Sequence, residues 1–593
     1  MSFKDYYQSE LTALRQHAAR LCERQPVLNT LIGQDRRDPD VERVLQGTSF
    51  LTARLRQTLD DEFPEITHAL VQRLWPDYLR PMPSMSVIQF DPSSRAGPPR
   101  HIPRHCEVTS SPIQGINCQF KTVFDTQVIP LELYRLEHAD NGKGAILKLS
   151  MKVTAGGHIA ELDLQQLRLH LAGETSIRHQ LYRGLLQQLS ALRITLLDTN
   201  GAPLPPAGPP AHITLKPTQV SAVGFHDEEA LLNSESGPQR GYRLLQEYFV
   251  FKDKFLFVDV LGLDAINRLD KELLGQACGM ELRFEFSRYP KPAARPLLEN
   301  VKLHCAPVIN LFSHKAIPIA IEPGQHEYPL LPGELDKHAC EIFGIHKVVG
   351  WQPGQLSHRE YVSPEFKAKV ATLAQGATRP LYRLSQQLSI LDDSVITTLC
   401  LNADDSADET IAVDLTCTNR NLPRQLAVGD ICLPGKGVPE LLTFQNICPA
   451  TASHATPRRG EHLWKLISNM SLNYLSLQDV NALKEILRTY DRPAFHDHGA
   501  RIDSDELFGA LHKVSHQNID YLIRGVPTRG TRTLLEIRPK DASCEAQWYL
   551  FGSVLSHFFA LYASHHSFNQ LHIQSSSGEL WSWDVCPGQQ PTL

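Results

Sequence analysis

The hydrophobic positions near the start of the chain repeat with the period of a helix. They step by four, three, four and three residues and end before Pro26, which places them along one narrow stripe of a first helix. The stripe consists of Tyr7, Leu11, Leu14, Ala18 and Leu21. A stripe one residue wide is narrower than the face that a globular core takes from a helix and suits a seam between helices. We therefore predict that these five residues bind a partner.

A second helix follows, with Asp38 as its N-cap and Pro39 at its first helical position. Its apolar side is predicted to include Val44, Leu51 and Leu55. The sequence alone leaves an alternative open, in which the first stripe packs only on these three residues, because antiparallel neighbours joined by a short loop commonly pack together. A third helix is predicted over 65–75, ending before Pro76.

From Pro81 onward the hydrophobic period changes to two, which indicates short strands between Pro and Gly turns. A helical turn at 242–248 is predicted to lead into an aromatic strand over 249–261, and the alternation of Leu282, Phe284 and Phe286 predicts another strand. The last portion mixes helices with strands. Its most apolar stretch, 548–563, is shorter than the ~18 residues that a membrane span needs and is predicted to be a buried core helix.

These patterns predict an α+β, multidomain protein, because 593 residues exceed the size of one domain. N-terminal helices precede β-rich middle domains and a mixed α/β C-terminal domain. The predicted divisions are a helical segment at 1–80, a β-rich domain at 81–235, a second β-rich domain at 236–380 and a mixed domain at 381–593.

Charge and composition narrow the class of partner. The net charge is −6 and no basic block stands out, so nucleic acid and anionic lipid are not expected partners. We expect the partners to be other proteins. The first residues lack the features of a secretory signal, and the 12 cysteines form no Cys-x-x-Cys pair. We expect a cytoplasmic protein with reduced thiols and no direct insertion into a membrane.

The sequence lacks the motifs of the common enzyme classes. The segment 429–436 comes nearest to a phosphate-binding loop, but it has one residue too many and no Ser or Thr for magnesium. Histidines form three groups, none of which has a second half with ligand spacing. The groups are His101, His105 and Cys106; His496, Asp497 and His498; and His557, His565 and His566. We therefore expect no catalytic residue, no cofactor and no metal site, and a metal-dependent enzyme using one histidine group is the alternative.

Several stretches, in the same order as in the family, resemble the TssF family (also called VasA or ImpG), a baseplate subunit of the bacterial type VI secretion system. They are 6–31, Asp38 to Arg43, Pro64 to Pro81, Gly241 to Phe249 with Lys254 to Phe257, Cys305 to Phe312, and Leu550 to Ala563 with Phe568. They are spread over essentially the whole chain.

The resemblance implies a structural wedge subunit with no catalytic residue or cofactor. Two TssF chains would assemble with one TssG chain, contact TssK and TssE, surround the spike hub and support and trigger the contractile sheath. The assembled baseplate would hold the chain at the cytoplasmic face of the inner membrane. An adaptor that binds a single partner is a further alternative. The resemblance favours an intermolecular bundle for the first helix, with TssG and the second TssF copy.

Overall fold

A computed structural model describes most of the chain. The described residues are 3–24, 39–60, 67–68, 70–71, 74–92, 99–140, 144–205, 211–232, 240–287, 295–322, 324–335, 339–352, 358–363, 380–388, 395–401, 409–439, 442–455, 460–471, 477, 479–523 and 525–589.

Helices lie at the start of the chain, between the sheets and in the last third. They are α1 (Phe3–Arg24), α2 (Pro39–Asp60), α3 (Thr175–Arg183), α4 (Arg240–Val250), α5 (Lys271–Gln276), α6 (Gly460–Ser471), α7 (Val480–Thr489), α8 (Arg492–His496), α9 (His498–Gly509) and α10 (Ala542–Ala560). The second helix begins at Pro39 as predicted, since proline lacks only an N–H that has no partner in the first turn.

The strands are mostly short and antiparallel. In the first half of the chain they are β1 (Met85–Phe90), β2 (Arg100–Ile102), β3 (Glu107–Ile113), β4 (Ile116–Thr122), β5 (Thr126–Val128), β6 (Leu131–Asp140), β7 (Ala145–Val153), β8 (Gln166–Leu171), β9 (Leu189–Leu197), β10 (His212–Leu215), β11 (Val220–Ala222), β12 (Phe257–Leu261) and β13 (Gly279–Phe286). In the second half they are β14 (Val301–Leu303), β15 (Cys305–Ile309), β16 (Phe312–Lys315), β17 (Ile319–Ala320), β18 (Glu327–Pro329), β19 (Glu341–Trp351), β20 (Arg359–Tyr361), β21 (Tyr382–Leu388), β22 (Val395–Leu401), β23 (Thr410–Thr418), β24 (Ile431–Pro434), β25 (Phe444–Asn446), β26 (Leu511–Ile523), β27 (Val526–Ile537), β28 (Phe568–Gln574), β29 (Leu580–Ser582) and β30 (Cys586–Pro587).

The sheets join segments that are far apart in sequence. A six-stranded sheet has the order β24-β3-β4-β15-β1-β25, in which Met85 lies opposite Ile309 and Phe90 opposite Phe444. A five-stranded sheet has the order β10-β9-β13-β7-β6, and a four-stranded sheet has the order β11-β12-β8-β14. Strands from both sides of positions 235 and 380 thus share sheets. The division of the chain at 80, 235 and 380 stays a prediction about domain boundaries.

Two further sheets, β16-β23-β19-β20 and β18-β22-β21, lie between β15 and β24 in the chain. Their buried apolar side chains form a separate core whose members run from Phe312 to Cys417. Two buried asparagines lie where the chain enters and leaves this insert. Asn310 Nδ2 donates to Asn419 Oδ1 at 2.8 Å, and the Asn419 N–H donates to Asn310 Oδ1 at 2.6 Å. The pair ties the two connections of the insert to each other.

The C-terminal portion surrounds one helix. α10 connects β27 to β28, which pair in parallel, and β26 extends the sheet on the other side of β27. Trp548, Phe551, Leu555 and Phe558 of α10 are all fully buried, which confirms the interpretation of this stretch as a core helix. In the described part of the chain, no helix has the length and apolarity needed to cross a membrane.

The prediction of an aromatic strand over 249–261 is wrong in its first half. Phe249 and Val250 belong to α4, and the strand covers only Phe257–Leu261. The physical reason is that Tyr242, Leu245 and Phe249 continue a helical spacing, which buries all three residues in the same core as α10. The helix and strand content and the mixed C-terminal region confirm the α+β fold class.

Candidate assembly surface

The N-terminal helices α1 and α2 form a helical hairpin. Small side chains are buried in this hairpin. Ser49 and Ala53 of α2 are fully buried, and Cys22 of α1 is nearly so. Two ion pairs join the helices: Arg15 with Glu42, and Arg56 with Glu10 at 2.6 Å. These ion pairs hold α1 against α2.

The five residues predicted to bind a partner lie on α1. Tyr7, Leu11, Leu14 and Ala18 are half-buried, and Leu21 keeps 44% of its surface exposed. None of the five is fully buried, so the stripe stays partly accessible in the isolated chain. Its role in binding remains a prediction.

The alternative, in which α1 covers the apolar side of α2, is wrong for this structure. Val44 and Leu51 are each 68% exposed and Leu55 is 63% exposed. The hairpin therefore turns these residues outward and buries Ser49 and Ala53 instead. The sequence correctly predicts an apolar stripe on α2. It does not predict which side of α2 faces α1.

Threonines extend this exposed stripe without adding free polar groups. The Thr48 hydroxyl donates to the Val44 carbonyl at 2.8 Å, and the Thr52 hydroxyl donates to the Thr48 carbonyl at 2.9 Å. Each hydroxyl is thus satisfied within α2, and the exposed methyl groups continue the apolar surface. We call Val44, Thr48, Leu51, Thr52 and Leu55 the α2 stripe.

The histidine groups do not assemble into a centre for chemistry. His101 Nε2 lies 3.7 Å from Asp125 Oδ1, and the Cys106 thiol donates to the Gly437 carbonyl. His496 stacks on the ring of His454 at 6.2 Å. Within the described ranges, no three His, Cys, Asp or Glu side chains are grouped closely enough to hold a metal ion.

One member of the third group, His557, lies on α10. Burial, followed by nearby Arg240, lowers the pKa of His557 to about 4, so the ring is neutral at physiological pH. His565 and His566 lie beyond the end of the helix and are exposed.

Comparisons with known proteins agree over the whole chain. The family model described as "Type VI secretion system, TssF" matches residues 1–590. The chain is 26% identical to the type VI secretion system component TssF1 of Pseudomonas aeruginosa, with 99% of each chain covered.

Two solved structures are similar. A chain in the TssK-TssF-TssG baseplate subcomplex of the type VI secretion system, solved by cryo-electron microscopy, has a TM-score of 0.76 and 27% identity, covering 92% of this chain and 99% of that one. A chain in a baseplate complex from the type VI secretion system has a TM-score of 0.65 and 22% identity over the full length of both chains, and this likeness shows the fold alone.

Proposed function

The chain belongs to the TssF family of the type VI secretion system, and from this premise we propose that it is a structural baseplate subunit that assembles through its N-terminal hairpin. The proposed direct partners are TssG and TssK, with which the similar solved chain shares a baseplate subcomplex. Contacts with a second TssF copy, TssE, the spike hub and the sheath are finer parts of the same proposal. So is a location at the cytoplasmic face of the inner membrane.

The observation that carries the proposal is the α2 stripe. Val44, Leu51 and Leu55 each leave roughly two thirds of their surface in water. Because complete burial of such a side chain contributes roughly 1.5 to 3 kcal/mol, covering the remaining surface of all three contributes roughly 3 to 6 kcal/mol. An apolar partner helix laid on this stripe would gain that free energy.

The proposed mechanism is mechanical. A baseplate subunit must hold one arrangement before firing and allow another afterwards, which requires interfaces with two stable packings and no bond-making centre. A helical hairpin joined to a large β-rich body suits this task, because helices can slide or rotate against each other while keeping their internal hydrogen bonds.

The test is co-purification with the TssG-like and TssK-like proteins encoded beside this chain. Leu51→Asp with Leu55→Asp places two carboxylates in the proposed interface, where an unpaired buried charge is costly. The free variant should fold normally because both positions are already exposed. We expect it to lose retention of TssG. The matched control is Leu297→Asp with Leu580→Asp, two leucines that are 58% and 54% exposed elsewhere, and it should retain TssG.

A second variant tests the α1 stripe. Leu11→Asp with Leu14→Asp should stay soluble, keep its far-ultraviolet helix signal and lose TssG if the stripe lies between chains. An aggregated variant would assign these two leucines to the interior of the chain. If both the α2 and the α1 variants retain TssG at the wild-type level, the hairpin is not the assembly surface.

A further inference from the structure

A short segment between the N-terminal hairpin and β1 is bound tightly to helices of the C-terminal part of the chain. We call residues 75–82 the strap. Trp75 and Tyr78 are buried, and their rings lie 5.0 Å apart. The Trp75 ring is 5.9 Å from Tyr242 of α4 and 6.2 Å from Tyr490, which ends α7. The strap is therefore packed into the same aromatic cluster as the two helices.

Arg492 of α8 is the main polar contact of the strap. Its Nη1 donates to the Arg80 carbonyl at 2.7 Å, and its Nη2 donates to the Tyr78 carbonyl. The guanidinium also lies 4.7 Å from the centre of the Tyr78 ring. On the other side of the guanidinium lies Gln246 of α4. With the Gln246 amide oriented so that its oxygen faces Arg492, Arg492 Nε donates to that oxygen at 2.6 Å. One side chain thus joins the strap to α4 and α8.

Arg492 is fully buried, yet among the described residues it makes no ion pair with a carboxylate. The neighbouring Asp491 is occupied elsewhere, by the Ser504 hydroxyl and by the Ala494 N–H. The strap carbonyls and Gln246 therefore take the place of a counter-charge. If the strap moved away, the fully buried guanidinium would lose two acceptors, which makes movement of the strap costly.

Other contacts hold the strap at both ends. The Tyr78 hydroxyl lies 2.5 Å from His462 Nε2 of α6 and donates to the Thr489 carbonyl of α7. Met82 and His454 exchange two backbone hydrogen bonds, at 2.8 and 2.9 Å. The strap thereby contacts α6, α7 and α8 over less than ten residues.

We propose that Arg492 is the positioning residue of a joint that couples the N-terminal hairpin to the body of the protein, so that partner binding at the hairpin is transmitted through the strap to α6, α7 and α8. This proposal rests on the proposed function of the hairpin. The chain runs from the hairpin to the body of the protein through the strap. Arg492 holds the strap and is therefore placed to act on this connection, which neither hairpin helix does.

The experiment measures amide hydrogen exchange in the full-length chain, free and bound to TssG. The variant is Arg492→Lys, which keeps the charge but loses the planar fork that reaches two carbonyls at once. The matched control is Arg488→Lys on α7, where the arginine is half-exposed and pairs with Glu485 and Asp505. In the free Arg492→Lys protein we expect strap amides to exchange about 10-fold faster or more, with α10 unchanged. In the control, the strap should exchange as in the wild type.

Binding separates a joint from a merely structural contact. In the wild type and in Arg488→Lys, TssG should slow exchange both in the hairpin and in α6 to α8. In Arg492→Lys the hairpin should still be protected and the effect on α6 to α8 should be lost.

Unchanged strap exchange in the free variant, or remote protection that persists in Arg492→Lys, would overturn the joint. Should α10 also exchange faster in Arg492→Lys, Arg492→Met replaces it, because an uncharged side chain of similar length removes the contacts with the two strap carbonyls without leaving a charge buried without partners. If TssG fails to protect the hairpin of the wild type, the proposed function and the transmission that rests on it both fail, and the strap measurement in the free chain still decides whether Arg492 holds the strap.

Discussion

Gly241 is the second residue of α4 and lies where α4 approaches α10 closely. A Cβ added at this position would lie 2.5 Å from the His557 carbonyl oxygen and 2.9 Å from Phe558 Cα. Both atoms belong to the backbone of α10, which is buried and cannot rotate away as a side chain would. Gly241→Ala should therefore push the two helices apart.

The expected magnitude follows from two opposing terms. Overpacking of a close-packed core costs about 1 to 3 kcal/mol and sometimes more, and rigid backbone atoms at these distances place the cost at the upper end. The higher helix propensity of alanine returns at most about 1 kcal/mol. We expect a net destabilisation of about 2 kcal/mol.

The assay is urea unfolding followed by tryptophan fluorescence, which reports on the buried Trp548 and Trp581. The control is Gly47→Ala on α2, where an added Cβ meets no atom within 4 Å. That substitution should leave the midpoint unchanged or raise it. A Gly241→Ala midpoint equal to or above the wild-type value would refute the close contact between α4 and α10.

Two further outcomes test the core. Phe558→Ala removes a fully buried ring whose centre lies 5.3 Å from that of Tyr562 and 6.0 Å from that of Tyr242. The substitution should destabilise the chain by about 3 to 5 kcal/mol in the same urea assay. An unchanged midpoint would contradict the burial of α10. Burial lowers the pKa of His304 to about 4 from its usual 6.5, so the unfolded chain binds a proton first and stability is lost as pH falls from 6.5 toward 4. The loss due to His304 should be about 1.4 kcal/mol per pH unit. His304→Asn should therefore make unfolding midpoints fall less steeply across that range, while buried His557 keeps its own contribution; an equal slope in the variant would contradict the prediction.

Local patterns in the sequence predict many of the elements. The alternation of Leu282, Phe284 and Phe286 with Glu281, Arg283 and Glu285 is confirmed by β13, where the first set is buried and the second half-exposed. The start of α2 at Pro39 is confirmed by the bounds of the helix, since the φ that the proline ring fixes suits the first turn. Asp479 is the N-cap of α7 and accepts from the Ala482 N–H, as expected of an aspartate at the start of a helix.

Which residues cover each face of a helix depends on contacts between distant parts of the chain. The hydrophobic period of the sequence does not show these contacts. The apolar pattern of α2 predicts a stripe at Val44, Leu51 and Leu55, but whether that stripe faces α1 or solvent depends on the small residues Ser49 and Ala53, which allow the closer approach. In the same way, nothing near Arg492 in the sequence indicates that it binds the carbonyls of residues 78 and 80. Such contacts exist only once segments some 400 residues apart are folded together.

The position of β1 has a consequence for synthesis of the protein. Five of its six residues are buried, and its two neighbours in the sheet are β15 and β25. At about 5 to 20 residues per second, a ribosome that has completed Phe90 needs roughly 20 to 70 s more to reach Asn446. During that time β1 has an unpaired edge and an apolar surface, both of which favour aggregation. We therefore expect the nascent chain to need chaperone protection at this edge until Asn446 has been made, and C-terminal truncations that remove β25 should leave the edge open.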